Sequence, residues 1–310
     1  MTRHFGPEAK REAVKIVKEI EAAMQNEIQA LPWMSVETKE QALTKLHAIA
    51  NKVGYPDQWR DYSGLKIVRG DEIGNSQRAS WFEFRRQLAK IGKPVDRGEW
   101  TMTPPTVNAY YDPQKNDINF PAGILQPPLF SAKSDAAPNY GNTGATMGHE
   151  LTHAFDDEGS QFDDKGNLRN WWTEADRKAF EQRAQCVVDQ YSGYTIIDDV
   201  KINGKLTNGE DLADLGGTLL AYLAWKADTK DQKLEDMDGL TPEQRFFVGY
   251  GQSWCANTRD EEKRLRATLD PHSPDRFRAN GVVSNLPEFR EAFHCKPGQP
   301  MVRENACRVW

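Results

Sequence analysis

Five consecutive residues restrict what this chain can fold into: His149-Glu150-Leu151-Thr152-His153. The two histidines are four apart, so on an α-helix they share a face, one turn from each other. Two imidazoles so placed can bind one metal ion. Glu150, about 100° round the helix from His149, flanks that face within reach of a water on the metal. The fold must supply a helix here and bring at least one further ligand to it, because a catalytic zinc takes three protein ligands and keeps a position open.

His272, His294 and a carboxylate are candidates for the third ligand. Glu210 stands out in the stretch Asn208-Gly209-Glu210-Asp211-Leu212-Ala213-Asp214-Leu215-Gly216-Gly217, with Asp214 four residues on and on the same helical face. One of these carboxylates can bind the metal while the other accepts the Nδ1–H of a ligating histidine, which orients the ring and raises its basicity. The same stretch also suits a capped acidic helix, with Asn208 as N-cap and Asp211 in the first turn. Gly216 and Gly217 allow that helix a close approach to a neighbour. Asp157, four residues past His153, is placed to orient the second ring. Zinc lowers the pKa of its bound water toward ~7. Glu150 can then act as general base on that water as it attacks a carbonyl and pass the proton to the leaving amine. His272 and Arg278, in the segment Asp270 to Arg278, are candidate donors to the oxyanion.

Around this motif the apolar pattern is mostly helical. Val14, Ile16, Val17, Ile20, Ala23, Met24, Ile28 and Leu31 fall mostly three or four apart, predicting a helix over Ala9–Leu31 that Pro32 ends. A second helix opens at Ser35 and runs to about Ala50, and a third covers Gly74–Leu88. Val107–Tyr111 reads as a strand, residues 112–116 as a turn and Asp117–Phe120 as the return strand. Pro121–Pro128 is irregular. Helices are expected over Gly141–Asp156, Thr173–Tyr191, Gly209–Lys226 and Pro242–Thr258, with a tight turn at Asn203-Gly204. The fold class is mainly α with a small antiparallel or mixed sheet. Its boundaries divide a helical segment over residues 1–100 from a catalytic unit over residues 101–310.

Charge and hydropathy exclude two classes of partner. With 40 Lys+Arg against 46 Asp+Glu the net charge is −6, and no basic patch marks a nucleic-acid binder. No apolar run approaches the ~18–20 residues of a membrane span. The N-terminus carries no apolar stretch of the signal-peptide kind. The four cysteines, Cys186, Cys255, Cys295 and Cys307, form no C-x-x-C pair. Free thiols and disulfides in an oxidising compartment both remain open.

Several stretches in one order resemble the C-terminal half of the neprilysin / endothelin-converting-enzyme family of zinc metallopeptidases. They are Trp33-Met34 with Glu37-Thr38-Lys39, Val53-Gly54-Tyr55-Pro56, Val107 to Tyr111, Phe120 to Pro128, Gly148 to Asp157, Trp171-Trp172-Thr173, Glu210 to Gly217, His272 to Arg278, and Cys307-Arg308-Val309-Trp310. The absence of any N-x-S/T acceptor points to a bacterial member. The resemblance implies a thermolysin-like zincin domain preceded by helices of a partial lid. It implies one Zn²⁺ per chain on His149, His153 and Glu210, and Glu150 as base. Asp214 would stand behind the first histidine and Asp157 behind the second. Asn108 and Ala109 would pair with the substrate backbone, Arg278 would hold a substrate carbonyl, and His272 would stabilise the transition state. Ile124, Leu129 and Trp254 would line an apolar pocket, favouring cleavage of short peptides on the amino side of hydrophobic residues.

The resemblance further implies an extracytoplasmic (secreted or periplasmic) protein, a Cys186–Cys307 disulfide, and partners for Cys255 and Cys295 in upstream sequence. Relatives are roughly twice this long, and their upstream half builds most of a lid. The expectation is therefore a fragment or truncated paralogue, either an active oligopeptidase or a silent zinc-binding piece that needs the missing half. Asp211 stands where many relatives have Asn, and is expected to add a negative charge beside the metal.

Overall fold

A computed structural model describes residues 5–310 of the chain. The chain opens with α1 (Pro7–Ala30), whose buried face is Ala13, Ile16, Val17, Ile20, Ala23, Met24 and Ile28, the row expected from the periodicity. Ser35 caps α2 (Val36–His47) by accepting the Thr38 N–H. Strand β1 (Ala50–Gly54) follows, and then α3 (Glu72–Leu88). A hairpin of β2 (Tyr110–Asp112) and β3 (Asp117–Pro121) turns through Asn116, which takes a positive φ of 49°.

The sheet differs from a simple hairpin. Its order is β1-β3-β2, with β1 parallel to β3 and β2 antiparallel. Ala50-Asn51-Lys52-Val53-Gly54 carries neither alternation nor β-branched enrichment, so the strand leaves little trace in the sequence. It is held from inside by Lys52, whose Nζ lies 2.6 Å from Asp117 Oδ2. Strand β2 is the edge of the sheet and begins at Tyr110, three residues later than expected.

The next rod is continuous: α4 (Ala136–Asn139), one π-helical turn (Tyr140–Gly144) and α5 (Ala145–Thr152). It starts before the expected Gly141 and stops four residues before Asp156. A short 3₁₀ turn (Gly159–Gln161) leads to α6 (Glu174–Ser192), capped by Thr173. The hairpin of β4 (Thr195–Ile197) and β5 (Val200–Lys201) then leads to α7 (Asn208–Asp228). There Thr207 is the N-cap and Asn208 the first helical residue. Helix α8 (Pro242–Gln252) closes a capping box between Thr241 and Gln244, and ends six residues before the expected Thr258. Helices α9 (Asp260–Leu269), α10 (Asp275–Val283) and α11 (Pro287–Ala292) were not legible. Ten residues or fewer give too few turns of apolar periodicity, and α9 buries none of its residues.

Helix α7 is the axis of the core, with Leu212, Ala213, Leu219, Leu220, Ala221 and Trp225 all buried. Helices α1 and α5 pack on it, so one core cluster runs from Phe5 to Trp310. Helix α3 buries none of its residues, and Ile73, Trp81 and Phe84 on it are exposed. The Cys186–Cys307 disulfide ties α6 to the C-terminal tail with Cα atoms 5.6 Å apart. Cys255 and Cys295 carry free thiols. Among the described residues no helix is long and apolar enough to cross a membrane.

Candidate metal centre

The metal-binding motif lies on α5, which crosses α7 at a contact between glycines. A Cβ at Gly217 would stand 2.6 Å from Gly148 C and 2.7 Å from His149 Cα, and one at Gly148 would stand 2.8 Å from Gly217 Cα. Only hydrogen at both positions permits this approach, which sets Glu210 of α7 opposite the two histidines of α5. The ligand atoms of His149, His153 and Glu210 lie within 4.8 Å of one another. His149 Nε2 is 2.9 Å from His153 Nε2 and 3.3 Å from Glu210 Oε2, and His153 Nε2 is 3.6 Å from Glu210 Oε1. A tetrahedral zinc with bonds of about 2.0–2.1 Å separates its ligand atoms by roughly 3.3 Å.

The donor chemistry agrees with a cation. His149 Nδ1 lies 2.7 Å from Asp214 Oδ1, and His153 Nδ1 lies 2.6 Å from Asp156 Oδ2. A carboxylate only accepts, so each Nδ1 carries a hydrogen and leaves Nε2 as the atom of its ring that faces the metal point. Two Nε2 atoms and a carboxylate aimed at one point suit Zn²⁺, which binds imidazole nitrogen and carboxylate oxygen.

Asp156, and not Asp157, stands behind His153. The four-residue spacing assumed a helix through Asp156, but α5 ends at Thr152 with His153 as its C-cap, so the ring meets the residue three on. The other oxygen, Asp156 Oδ1, accepts the N–H groups of Glu158 and Gly159 at 2.9 and 2.7 Å. Asp157 points elsewhere, beside Gly209, with a buried Oδ1 that has no hydrogen-bond partner.

Arg278 sits in the first turn of α10, not in a loop. Its Nε and Nη2 grip the two oxygens of Asp214 at 2.6 and 2.8 Å, and Nη2 lies 3.3 Å from Glu210 Oε2. The guanidinium carbon stacks 4.3 Å from the centre of the Trp254 ring. Burial alone would raise the Glu210 and Asp214 carboxyls, but the histidines and Arg278 hold both below the usual carboxylate range. Burial pushes Glu150 up, against the pull of the two histidines. Asp211 is buried, with Thr207 Oγ1 donating to its Oδ2 at 2.8 Å, and burial pushes its carboxyl well above the ordinary value, which works against the negative charge expected there.

A cavity of about 610 Å³ opens over these groups. Asn108, Ala109, Ile124, Leu129, His149, Glu150, His153, Glu210, Asp214, Trp254, His272 and Arg278 all line it, whereas Asp157, Asp211 and the alternative ligand His294 do not. Asn108 and Ala109 immediately precede the edge strand β2. His272 turns Nε2 to within 3.3 Å of Glu210 Oε1, while Asp270 Oδ1 holds its Nδ1 at 2.7 Å. Arg266 Nε in turn donates to Asp270 Oδ2 at 2.6 Å. Asp270 and Asp156 went unseen in the sequence; Asp270 had a signal in its place two residues before His272.

Residues 108–309 match Peptidase family M13, and residues 1–56 match the N-terminal part of the same family. The chain belongs to peptidase family M13. It is 42% identical to endothelin-converting enzyme 1 of Mus musculus over 99% of this chain and 41% of that protein. Neprilysin-3 of Drosophila melanogaster is 39% identical over 99% of this chain and 40% of its own length. Among solved structures, the zinc metalloprotease ZMP1 of Mycobacterium tuberculosis in complex with inhibitor superposes with a TM-score of 0.92 at 44% identity, over 97% of this chain and 47% of that one. This M13 chain thus spans about two-fifths of the length of the curated relatives it matches.

The M13 centre predicts how zinc uptake responds to pH. Burial disfavours the charged form of His149, but Asp214 and Glu210 outweigh it and push the ring up to about 10 in the metal-free protein. His153 is also raised, through Asp156, against burial and the charge of His149. Below those values zinc must displace a proton from each charged ring. Apparent zinc affinity is therefore expected to rise with pH between pH 5 and 9, by about tenfold per pH unit for each proton displaced. Competition titration with a chromogenic chelator, with proton release measured in buffers of different ionisation enthalpy, checks this. A pH-independent affinity would contradict it.

Proposed function

We propose that this chain is a zinc-dependent endopeptidase that hydrolyses short peptides on the amino side of hydrophobic residues. The observation carrying the reading is the meeting, in one cavity, of His149, His153 and Glu210 with the unligated carboxylate of Glu150 and the free edge beside Asn108 and Ala109. A bound zinc ion would supply a Lewis acid that polarises the scissile carbonyl and lowers the pKa of water toward ~7. Glu150, its carboxyl raised by burial, takes the proton from the attacking water and delivers it to the leaving amine.

Asn108 and Ala109 pair with the substrate backbone as an added strand. His272, held by Asp270, donates to the oxyanion. Arg278 commits Nε and Nη2 to Asp214 and keeps Nη1 for a substrate carbonyl. Asp214 and Asp156 hold the ligating rings in place. Ile124, Leu129 and Trp254 give the residue after the cleaved bond an apolar wall. The Cys186–Cys307 bond supports an extracytoplasmic placement, where disulfides persist.

The test pairs metal content with cleavage of quenched short peptides. One zinc per chain, loss of cleavage on chelation and recovery with zinc are expected. Peptides with Leu or Phe after the scissile bond should exceed those with Asp there by at least about tenfold in kcat/KM; equal rates would remove the apolar-pocket assignment. The exposed Ile73, Trp81 and Phe84 on α3 favour a second reading, zinc binding without catalysis until further protein covers that face. Zinc bound with no cleavage would select it.

A further inference from the structure

Lys45, on α2, is fully buried, far in sequence from the metal-binding residues. Its Nζ donates to the carbonyls of Ala154 at 2.6 Å, Gly159 at 2.6 Å and Phe162 at 2.8 Å. An ammonium has three protons, and these acceptors use all of them. The rings of Phe155, Tyr111 and Trp171 surround the charge, with centres 5.7, 5.8 and 5.9 Å away. Burial draws the Lys45 pKa down to about 7, while Asp156 and Asp163 act to keep it charged.

All three carbonyls belong to the segment that follows His153. The chain leaves α5 there, and its carbonyls lose their helical partners. The same segment carries Asp156. The backbone of Gly159 joins the two groups: the C=O of its peptide with Ser160 accepts from Lys45, and the N–H of its peptide with Glu158 donates to Asp156 Oδ1. The turn is also pinned from behind, since a Cβ at Gly159 would stand 2.9 Å from His153 C. Two hydrogen bonds on either side of the Gly159 Cα thus tie Lys45 to Asp156, and Asp156 Oδ2 in turn meets His153 Nδ1.

We propose that Lys45 is a positioning residue of the metal centre, acting through Asp156 to fix the orientation and basicity of His153. The inference rests on the zinc reading of the site. It gives α2 a part in metal binding that its distance in sequence conceals. It also makes the two histidines unequal: His149 is oriented by Asp214 and Arg278, His153 by Asp156 and Lys45.

The test is a pair of double-mutant cycles read as zinc affinity by chelator competition, with circular dichroism to establish that each metal-free variant is folded. Lys45→Met should weaken zinc about tenfold or more. Asp156→Asn should weaken zinc in the wild-type background but by less than about twofold on top of Lys45→Met, because the carboxylate is then already misplaced. Asp214→Asn should cost the same in both backgrounds. Three results overturn the proposal: unchanged affinity in Lys45→Met, an undiminished Asp156→Asn penalty beside it, or equal attenuation of both aspartate penalties, which marks general loosening. If Lys45→Met does not fold, Lys45→Gln keeps amide donors without a buried charge and carries the same cycles. If neither folds, wild-type amide exchange decides. The Glu158 and Gly159 N–H groups should slow on zinc addition, and unchanged rates overturn the coupling. A wild type that binds no zinc fails the metal reading itself.

Discussion

Glu150→Gln is expected to keep its zinc and lose about 10²–10⁴-fold in kcat. The side chain lies in the cavity but is not among the three groups that converge on the metal point. The amide matches the carboxylate in size and cannot accept a proton from water. Zinc stoichiometry and KM should therefore stay near wild type while turnover collapses. The pH–rate profile adds a second readout. Burial raises the Glu150 carboxyl, so activity should fall as pH drops through that raised value, and this acid limb should be missing from the residual activity of Glu150→Gln. A decrease in kcat smaller than about tenfold would remove Glu150 from the proton-transfer role.

Gly217→Ala is expected to disable the centre without altering a ligand. The added methyl would meet the backbone of Gly148 and His149, which cannot rotate away as a side chain can. Helices α5 and α7 must separate instead, at a cost of about 1–3 kcal/mol for overpacking. His149 and His153 ride on one helix and Glu210 on the other, and zinc bond lengths tolerate only about ±0.2 Å. Zinc affinity is expected to fall by about 100-fold or more, together with a lower melting temperature of the metal-free protein. Gly251→Ala is the control, since a Cβ there meets nothing within 4 Å. Unchanged zinc affinity in a folded Gly217→Ala protein would show that the glycine contact does not set the ligand spacing.

The parts of this centre that were legible in the sequence are those whose geometry is local. His149 and His153 declare themselves because one helical turn fixes their relation, and Glu210 with Asp214 does so on a second helix. The glycine pair announces a close crossing but not the partner, which is Gly148. Asp156 was misread as Asp157 because the end of α5 depends on the turn at Gly159 and the carbonyls that Lys45 binds, none of which lies in the pattern of α5 itself. Lys45 was missed because a lysine in an amphipathic helix reads as solvated, although it shares the buried face of α2 with Thr38, Ala42 and Leu46. Strand β1 carries no β pattern and exists through its pairing with β3 and the Lys52–Asp117 ion pair. The helix that carries Arg278 was not legible because α10, nine residues long, shows too little periodicity to be recognised.

The hydrogen bonds around the metal point span long stretches of chain: 65 residues from His149 to Asp214, and 109 to 117 from Lys45 to the carbonyls it binds. Contacts of such separation carry the cost of closing the intervening loops before they contribute to stability. No short segment of this chain therefore carries the whole ligand set: His149 and His153 meet Glu210 only where α5 packs against α7. The ion pair between Arg278 and Asp214, together with the Asp156 turn, orients both ligating rings through the protein's own hydrogen bonds. Zinc loading is accordingly expected to be second-order, with a rate that follows zinc concentration, and mixing zinc with chelator-treated protein in a stopped-flow instrument checks this.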